Sequence, residues 1–331
     1  MRIGLIGTGR IGALHAATLA ELPAVTGIVL HDADERSARG VAEQLKAEYA
    51  GDLDGLLGAG IDGVVVAAPT TFHAELILAA QRAGLPTFCE KPVAGTLEET
   101  DAVLAALEEA PVALQIGFQR RFDAGYQAVR EAITDGRLGW THTLRACTAD
   151  PTPPHPGYIP VSGGIFRDCS VHDYDIVRWV TGREITEVYA TGANRGEDFF
   201  AAADDVDTAV TLLTLDDGTL ASCTATRYNG AGYDVRLEAC GSKGTLAAGL
   251  TDQAPLTSAE GAPWPAGTPY GGFIDRFQDA YRAELTAFTE VVAGTRPSPC
   301  TGQDARAALA VAEAATRSRK EGRPIRLAQP A

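Results

Sequence analysis

The sequence predicts an α/β protein of two domains: a parallel sheet covered by helices, followed by an α/β domain with a mostly antiparallel sheet. The chain has 331 residues and 45% hydrophobic content, which exceeds the ~100 to 200 residues of one ordinary domain. Up to about Phe118, short apolar runs alternate with helical segments, and beyond it strand-like runs are separated by hairpin turns. We therefore expect an N-terminal domain over residues 1–120 and a C-terminal domain over 121–331.

The N-terminal strands are expected where apolar residues form short runs. These runs cover residues 2–6, 27–31, 63–68, 87–89 and 112–117. The segments between them have the apolar spacing of helices. Such alternation is typical of βαβ units, which build a parallel sheet with helices on both faces.

The second part of the chain combines helices with consecutive strands. Segments of helical period cover residues 126–134, 165–181, 275–293 and 304–320. The second of these stops at Gly182, the residue type favoured just past a helix end. Residues 187–250 are strand-like and are interrupted at 216–218 and 241–244, both suited to hairpin turns, so we expect antiparallel pairing.

Composition excludes several classes of function. The chain carries 28 Lys and Arg against 43 Asp and Glu, a net charge of −15, which repels nucleic acids and anionic lipid surfaces. No apolar stretch approaches the ~18 residues that a spanning helix needs, and glycines interrupt any export signal at the N-terminus. We expect a cytoplasmic protein that binds neither nucleic acid nor membrane.

Six widely spaced cysteines without a C-x-x-C pair predict buried, reduced thiols.

A glycine-rich turn follows the first predicted strand, with the sequence Gly7-Thr8-Gly9-Arg10-Ile11-Gly12. In this context the glycines permit a tight turn, close approach to a pyrophosphate, and packing of helix on strand. Asp32, at the end of the second strand, can accept hydrogen bonds from ribose hydroxyls and repel a 2′-phosphate. We therefore predict a Rossmann domain that binds NAD, although Arg36 leaves NADP open and Asp32 can instead be a solvated turn residue. The other predicted cofactor contacts end the next two strands: Ala68, Pro69, Glu90 and Lys91.

Two further groups are suited to hydride-transfer chemistry. Lys91, followed by Pro92, ends a strand at the edge of the sheet where ligands bind in open parallel sheets. One face of the helix over 165–181 carries Asp168, His172, Asp175 and Trp179. His172 suits removal of an alcohol proton near neutral pH, and a neighbouring carboxylate would stabilise the resulting imidazolium. The alternative is a set of caps and ion pairs that only stabilises the domain.

These motifs occur in the order and spacing of the glucose-fructose oxidoreductase and inositol dehydrogenase (Gfo/Idh/MocA) family. They are Gly7 to Gly12, Glu90-Lys91-Pro92, residues 117–123 and residues 168–175. The chain resembles this family over nearly its whole length, and most of all its inositol 2-dehydrogenases. The resemblance implies a large, open, mostly antiparallel C-terminal sheet, commonly used for oligomer contacts, and a cis peptide bond before Pro92.

By the same resemblance, the reaction would be the NAD-dependent oxidation of a secondary alcohol of a cyclic polyol, with hydride passing to nicotinamide C4. Lys91 would hydrogen-bond the reacting hydroxyl, His172 would be the general base, and Asp168 would orient His172 or join the proton relay. The implied substrate contacts are Lys91, Arg120, Thr148, Asp150, Asp168, His172 and Tyr233. Thr148 and Asp150 stand where such dehydrogenases tend to place His and Asn, so the hydroxyls recognised can differ.

Two alternatives stay open. One is an aldose or sugar-derivative dehydrogenase of the same family. The other is a dinucleotide-binding regulator without turnover, which the presence of Lys91, Asp168 and His172 disfavours. No group of His, Cys and carboxylates has metal-ligand spacing, so no metal is expected. An open sheet face would leave an apolar patch, which predicts a homodimer or homotetramer.

Overall fold

A computed structural model describes residues 1–261 and 267–328 of the chain. The chain clusters into two compact units. The first unit joins Met1–Gln119 with Asp279–Ala307, and the second comprises the rest of the described chain. Residues 279–307, which the sequence pattern assigned to the C-terminal domain, thus cluster with the N-terminal elements. The physical reason is apolar packing, because Leu285, Phe288 and Val291 belong to the same core cluster as Ile3 and Leu5.

The first unit contains a doubly wound parallel sheet, as predicted. Its strands are β1 (Arg2–Ile6), β2 (Gly27–His31), β3 (Glu48–Tyr49), β4 (Gly63–Val66), β5 (Thr87–Glu90) and β6 (Leu114–Gly117). They pair in parallel in the order β3-β2-β1-β4-β5-β6. The helices between them are α1 (Arg10–Glu21), α2 (Glu35–Leu45), α3 (Leu53–Leu57), α4 (His73–Arg82) and α5 (Leu97–Glu109). This strand order brings the segments that follow β1, β4 and β5 to one edge of the sheet.

Local sequence explains where several of these helices begin. The Asp34 carboxylate accepts hydrogen bonds from the N–H groups of Arg36 and Ser37 and so caps α2. Thr96 and Glu99 form a capping box at the start of α5, each side chain accepting from the backbone N–H of the other residue. The residue before α1 is Gly9, which has no side chain to cap the helix. No side chain of the described residues caps α1, so its N-terminus suits an anionic ligand.

The second unit contains a seven-stranded sheet. Its strands are β7 (Thr141–Ala149), β8 (Ile185–Ala193), β9 (Thr208–Leu215), β10 (Leu220–Thr226), β11 (Asp234–Gly241), β12 (Gly244–Ala248) and β13 (Ile325–Arg326). The order is β12-β11-β7-β10-β9-β8-β13, and every pair is antiparallel except β7 with β10. The predicted, mostly antiparallel sheet is confirmed. Hairpin turns at 216–218 and 241–244 join β9 to β10 and β11 to β12, as expected.

The remaining helices are α6 (Ala124–Thr134), α7 (Val171–Thr181), α8 (Phe199–Ala202), α9 (Phe273–Val292) and α10 (Gly302–Glu321). One correction concerns the helix predicted over 165–181. Its first turn, Phe166–Ser170, is a π-helical turn, and only Val171–Thr181 is α-helical. Its end is as predicted, because Gly182 adopts the left-handed conformation with φ +63°.

Two further expectations concern membranes and thiols. Over the described residues, the structure contains no helix with the length and apolar character needed to span a bilayer. Five of the six cysteines are buried and Cys147 is partly exposed, and no disulfide joins them in the described chain.

Candidate active site

The glycine-rich loop between β1 and α1 is shaped by backbone contacts. Gly7 has φ +93°, and a Cβ there would lie 2.6 Å from the backbone N of Ala68. A Cβ on Gly12 would lie only 1.8 Å from the carbonyl oxygen of Gly7. A Cβ on Gly9, by contrast, would meet no atom of the described chain within 4 Å. The loop is thus closely packed at its two ends and open at Gly9, in front of the uncapped α1, where an anionic group fits.

The Asp32 carboxylate, directly after β2, contacts this loop. It accepts hydrogen bonds from the backbone N–H of Thr8 (2.6 Å) and the hydroxyl of Thr8 (3.0 Å), and from the N–H of Asp34 (2.8 Å). Partial burial raises the pKa of Asp32, but the N–H groups of Thr8 and Asp34 outweigh burial, so its pKa lies below the ordinary value. Asp32 is therefore an anion held beside the second residue of the glycine-rich loop.

Among the predicted contacts, Ala68 and Pro69 follow β4, Glu90 ends β5, and Lys91 follows β5. His73, at the start of α4, connects the two loops: its ring nitrogens lie 2.6 Å from the carbonyl oxygen of Pro92 and 2.8 Å from that of Ala68. The His73 ring is buried. The peptide bond between Lys91 and Pro92 is cis, as expected.

Glu90 is held from the other side by a second buried histidine. His15 Nε2, on α1, lies 2.7 Å from Glu90 Oε1. The His15 ring packs edge-on against Phe88 and Tyr281, with ring centroids 5.4 and 5.7 Å away. The backbone that carries Lys91 is therefore flanked by two histidine contacts, one at Glu90 and one at Pro92.

In the second unit, the predicted contacts Arg120 and Thr148 form a buried polar cluster with Asp173, a residue that the sequence pattern does not single out. Arg120 lies in a 3₁₀ turn, Gln119–Phe122, and its guanidinium donates from Nη1 to Asp173 Oδ1 (2.5 Å) and from Nη2 to Thr148 Oγ1 (2.9 Å). The Thr148 hydroxyl lies 2.8 Å from Asp173 Oδ2. The side chains of Arg120 and Asp173 are 3% and 0% exposed. Burial lowers the pKa of Arg120, but Asp173 raises it above its usual value, so Arg120 stays charged.

The next arginine forms a second ion pair with the same helix. Arg121 donates from Nε and Nη2 to the two carboxylate oxygens of Asp175, at 2.9 and 2.5 Å, and both side chains are buried. Trp179 lies under the guanidinium of Arg130, 4.4 Å from the ring centre. Asp175 and Trp179 therefore fit the alternative in which these side chains only stabilise the domain.

Asp168 lies in the π-helical turn and His172 in the first turn of α7, and both are partly buried. Asp168 Oδ2 accepts a hydrogen bond from Arg227 Nη2 (2.6 Å), and Oδ1 accepts from the Tyr158 hydroxyl (2.9 Å). Arg227 Nη1 also donates to Asp150 Oδ2 (2.8 Å). Two predicted substrate contacts, Asp150 and Asp168, are therefore joined through Arg227, to which the sequence pattern assigns no role.

Tyr233, the remaining predicted contact, precedes β11 and is 6% exposed. Its N–H donates to the carbonyl oxygen of Tyr270 (3.1 Å). Burial raises the pKa of Tyr233, so its hydroxyl stays protonated, while nearby Arg120 lowers it in part. The charge of Arg120 therefore acts on the hydroxyl of Tyr233.

The parallel sheet, the open glycine loop and the anionic Asp32 together define a dinucleotide-binding protein. Two family models match the chain. The first, an oxidoreductase family with an NAD-binding Rossmann fold, matches residues 1–118, and the second, the GFO/IDH/MocA C-terminal domain, matches residues 126–247. The chain belongs to this GFO/IDH/MocA family of oxidoreductases, and NAD is its cofactor, which confirms the resemblance carried by the motifs.

Similar proteins span the whole chain. A myo-inositol 2-dehydrogenase from Thermotoga maritima is 36% identical over 99% of this chain and 98% of its own length. An inositol 2-dehydrogenase from Rhizobium meliloti is 36% identical over 99% of both chains. Among solved structures, a scyllo-inositol dehydrogenase from Lactobacillus casei with bound NAD(H) and scyllo-inositol has a TM-score of 0.90 and 27% identity, covering 98% of each chain.

Proposed function

We propose that this protein catalyses the NAD-dependent oxidation of a secondary alcohol of a cyclic polyol of the inositol class. The observation that carries the proposal is the helical segment that presents Asp168 and His172, within a chain whose relatives over nearly full length are named inositol dehydrogenases. Bound NAD supplies the acceptor for the hydride that leaves the carbinol carbon. The hydroxyl proton must then leave separately, so the protein needs a base.

We assign that base to His172. A neutral imidazole accepts the hydroxyl proton as the carbon loses hydride, which leaves a ketone and an imidazolium. The Asp168 carboxylate, four residues earlier, stabilises the positive charge. Lys91, at the carboxyl edge of the parallel sheet, donates a hydrogen bond to the reacting oxygen. The N-terminus of α1 and Asp32 would hold the pyrophosphate and the adenosine ribose of NAD, and the charge of Asp32 would favour NAD over NADP.

The polar groups of the second unit suit a substrate with several hydroxyls. Arg120, Thr148, Asp150 and Tyr233 supply both donors and acceptors, and hydroxyl groups pair with either kind. Loss of one such pair costs about 1 to 3 kcal/mol when the remaining group stays buried. This arrangement therefore distinguishes epimers of a polyol ring by their hydroxyl positions.

Variants of Lys91 and His172 test the proposal. Lys91→Ala and His172→Ala should each lower kcat by ~10² to 10⁴ while the Kd for NAD changes little. Lys46→Ala and His142→Ala are matched controls, because Lys46 is an exposed residue directly after α2 and His142 is an exposed residue of β7. Turnover at the wild-type rate in either site variant would remove that residue from the reaction.

A second candidate is oxidation of an aldose or sugar derivative. Its basis is that Thr148 and Asp150 accept hydrogen bonds from Arg120 and Arg227 in this chain. A hydroxyl pattern recognised through these paired groups can differ from that of an inositol ring. Turnover of an aldose alone would favour this candidate.

We also propose that the open face of the seven-stranded sheet joins copies of this chain into a homodimer or homotetramer. Tyr189, Val210, Leu212 and Leu220 lie on this face and are between 38% and 54% exposed. Tyr189 pairs with Leu212 across β8 and β9, so the apolar side chains are neighbours. A second copy of this chain carries the same apolar surface, so the two surfaces can pack against each other in a symmetric contact.

A further inference from the structure

Arg227 is a buried cation that joins two carboxylates. Its side chain is 4% exposed, and its guanidinium donates to Asp150 Oδ2 at 2.8 Å and to Asp168 Oδ2 at 2.6 Å. One guanidinium thus holds two acidic side chains in a fixed fork geometry. Removal of Arg227 would leave the two carboxylates close to each other without the cation between them.

The sheet topology explains why Arg227 and Asp150 are neighbours. Strands β7 and β10 are parallel, and Thr226 pairs with Ala149 at their carboxyl ends. The next residue of each strand is therefore at the same edge. The N–H of Asp150 donates to the carbonyl oxygen of Thr226 (2.9 Å), and the N–H of Arg227 donates to that of Asp207 (2.8 Å). These bonds hold the backbone on both sides of the ion pair.

The titratable groups around Arg227 keep its guanidinium positively charged. The groups that face it are Asp150, Asp168, Cys169 and Tyr158. Burial lowers the pKa of Arg227, but Cys169, Asp168 and Asp150 raise it well above its usual value. Burial and Asp168 raise the pKa of Tyr158, so Tyr158 stays a protonated donor to Asp168. The positive charge beside the two carboxylates is therefore permanent.

We propose that Arg227 is a positioning residue for the reaction: it keeps Asp168 ionised and correctly directed by anchoring it to Asp150. The proposal rests on the proposed function, in which Asp168 stabilises the protonated His172. Opposite charge favours the ionised form of a carboxyl, and a second carboxylate nearby disfavours it. Without Arg227, the nearby Asp150 carboxylate would favour the protonated form of Asp168, and Asp168 would lose both its charge and its direction.

The test compares three variants at the cluster with one control. Arg227→Gln removes the charge, Arg227→Lys keeps the charge without the fork, and Arg227→Gln with Asp150→Asn also removes the repelling carboxylate. Arg178→Gln is the control, because Arg178 makes two 2.7 Å hydrogen bonds to the carboxylate of Glu184 and lies on α7, the helix that carries His172. Each variant is examined by its pH profile of kcat/KM, by its Kd for NAD, and by carbon-13 NMR titration of labelled aspartate carboxyls, assigned with Asp168→Asn.

For Arg227→Gln, we expect the acidic limb of kcat/KM to move to higher pH by about 1 to 3 pH units, with kcat reduced and NAD affinity unchanged. The Asp168 carboxyl should titrate at correspondingly higher pH. Adding Asp150→Asn should move the limb back, and Arg227→Lys should keep it near its wild-type position. Arg178→Gln should leave it in place.

A wild-type pH profile and a wild-type Asp168 titration in Arg227→Gln would overturn the proposal, as would an equal change in Arg178→Gln. If Arg227→Gln does not fold, the double variant and Arg227→Lys decide, because the proposal requires both to keep the acidic limb near its wild-type position. A wild-type protein that oxidises no polyol refutes the proposed function instead. The NMR titration then still decides whether Arg227 keeps Asp168 ionised.

Discussion

Substitution of the loop glycines by alanine should separate stability from cofactor affinity. At Gly9 the backbone has φ −63°, which alanine adopts readily, and a Cβ would meet no atom of the described chain within 4 Å. Gly9→Ala should therefore not destabilise the fold and can stabilise it by about 0.4 to 1 kcal/mol, through lower entropy of the unfolded chain. The added methyl group would occupy the open space before α1. We expect it to weaken NAD binding at least ~10-fold, or about 1.4 kcal/mol.

Gly12→Ala should behave in the opposite way. Its Cβ would lie 1.8 Å from the carbonyl oxygen of Gly7, far inside any real contact, so the loop backbone must move. We expect a loss of at least about 1 to 3 kcal/mol in the free energy of unfolding. Gly40→Ala is the control, because Gly40 lies within α2 and its Cβ would also meet open space in the described chain. It should gain up to ~1 kcal/mol and bind NAD normally.

Denaturant unfolding and calorimetric titration with NAD measure the two quantities for each glycine variant. The reasoning is refuted if Gly9→Ala binds NAD as tightly as the wild type. It is equally refuted if Gly12→Ala is as stable as Gly40→Ala, because the close contact at Gly7 would then carry no cost.

Further predictions concern cofactor choice, stability and assembly. Asp32→Ala should relax the preference for NAD, measured as the ratio of kcat/KM with NAD and NADP; an unchanged ratio contradicts the role of Asp32. Asp173→Asn leaves Arg120 buried without its counter-charge and should cost about 3 to 5 kcal/mol in denaturant unfolding, whereas Glu35→Gln, in an exposed pair, should change stability little. Leu212→Glu should weaken self-association in sedimentation velocity at micromolar concentration. A wild-type protein that sediments as a monomer under these conditions contradicts the oligomer proposal.

Much of the first unit could be predicted because its signals are local. The bounds of β1 and β2 agree with the apolar runs at 2–6 and 27–31. Glycine also occurs where the backbone needs a positive φ, as at Gly7 of the predicted glycine-rich turn. Such features depend on a few adjacent residues, so a single sequence contains them.

The composition of the second polar cluster could not be predicted, because it depends on contacts that are distant in sequence. Arg227 is 77 residues from Asp150 and 59 from Asp168. Its placement follows from the parallel pairing of β7 with β10, whereas the strand pattern indicates antiparallel pairing. A π-helical turn has no sequence signature of its own comparable to a cap, so the turn that carries Asp168 was also missed.

Asp173 was missed for a different reason. A helical wheel selects one face of a helix, but α7 is buried on most sides. Its aspartates therefore pair with two successive arginines of the 3₁₀ turn Gln119–Phe122. Arg120 pairs with Asp173, and Arg121 pairs with Asp175. The sequence signal for Asp173 is the pair of adjacent arginines, because each guanidinium that is buried in a low-dielectric interior needs an acidic partner.

The central claim is tested most directly by the rate of NADH formation with myo-, scyllo- and chiro-inositol, glucose, galactose and xylose as substrates, each with NAD and with NADP. We predict turnover of at least one inositol, faster with NAD, that falls by ~10² or more in His172→Ala. A protein that binds NAD but oxidises none of these alcohols, or that oxidises them equally well without His172, would contradict the account.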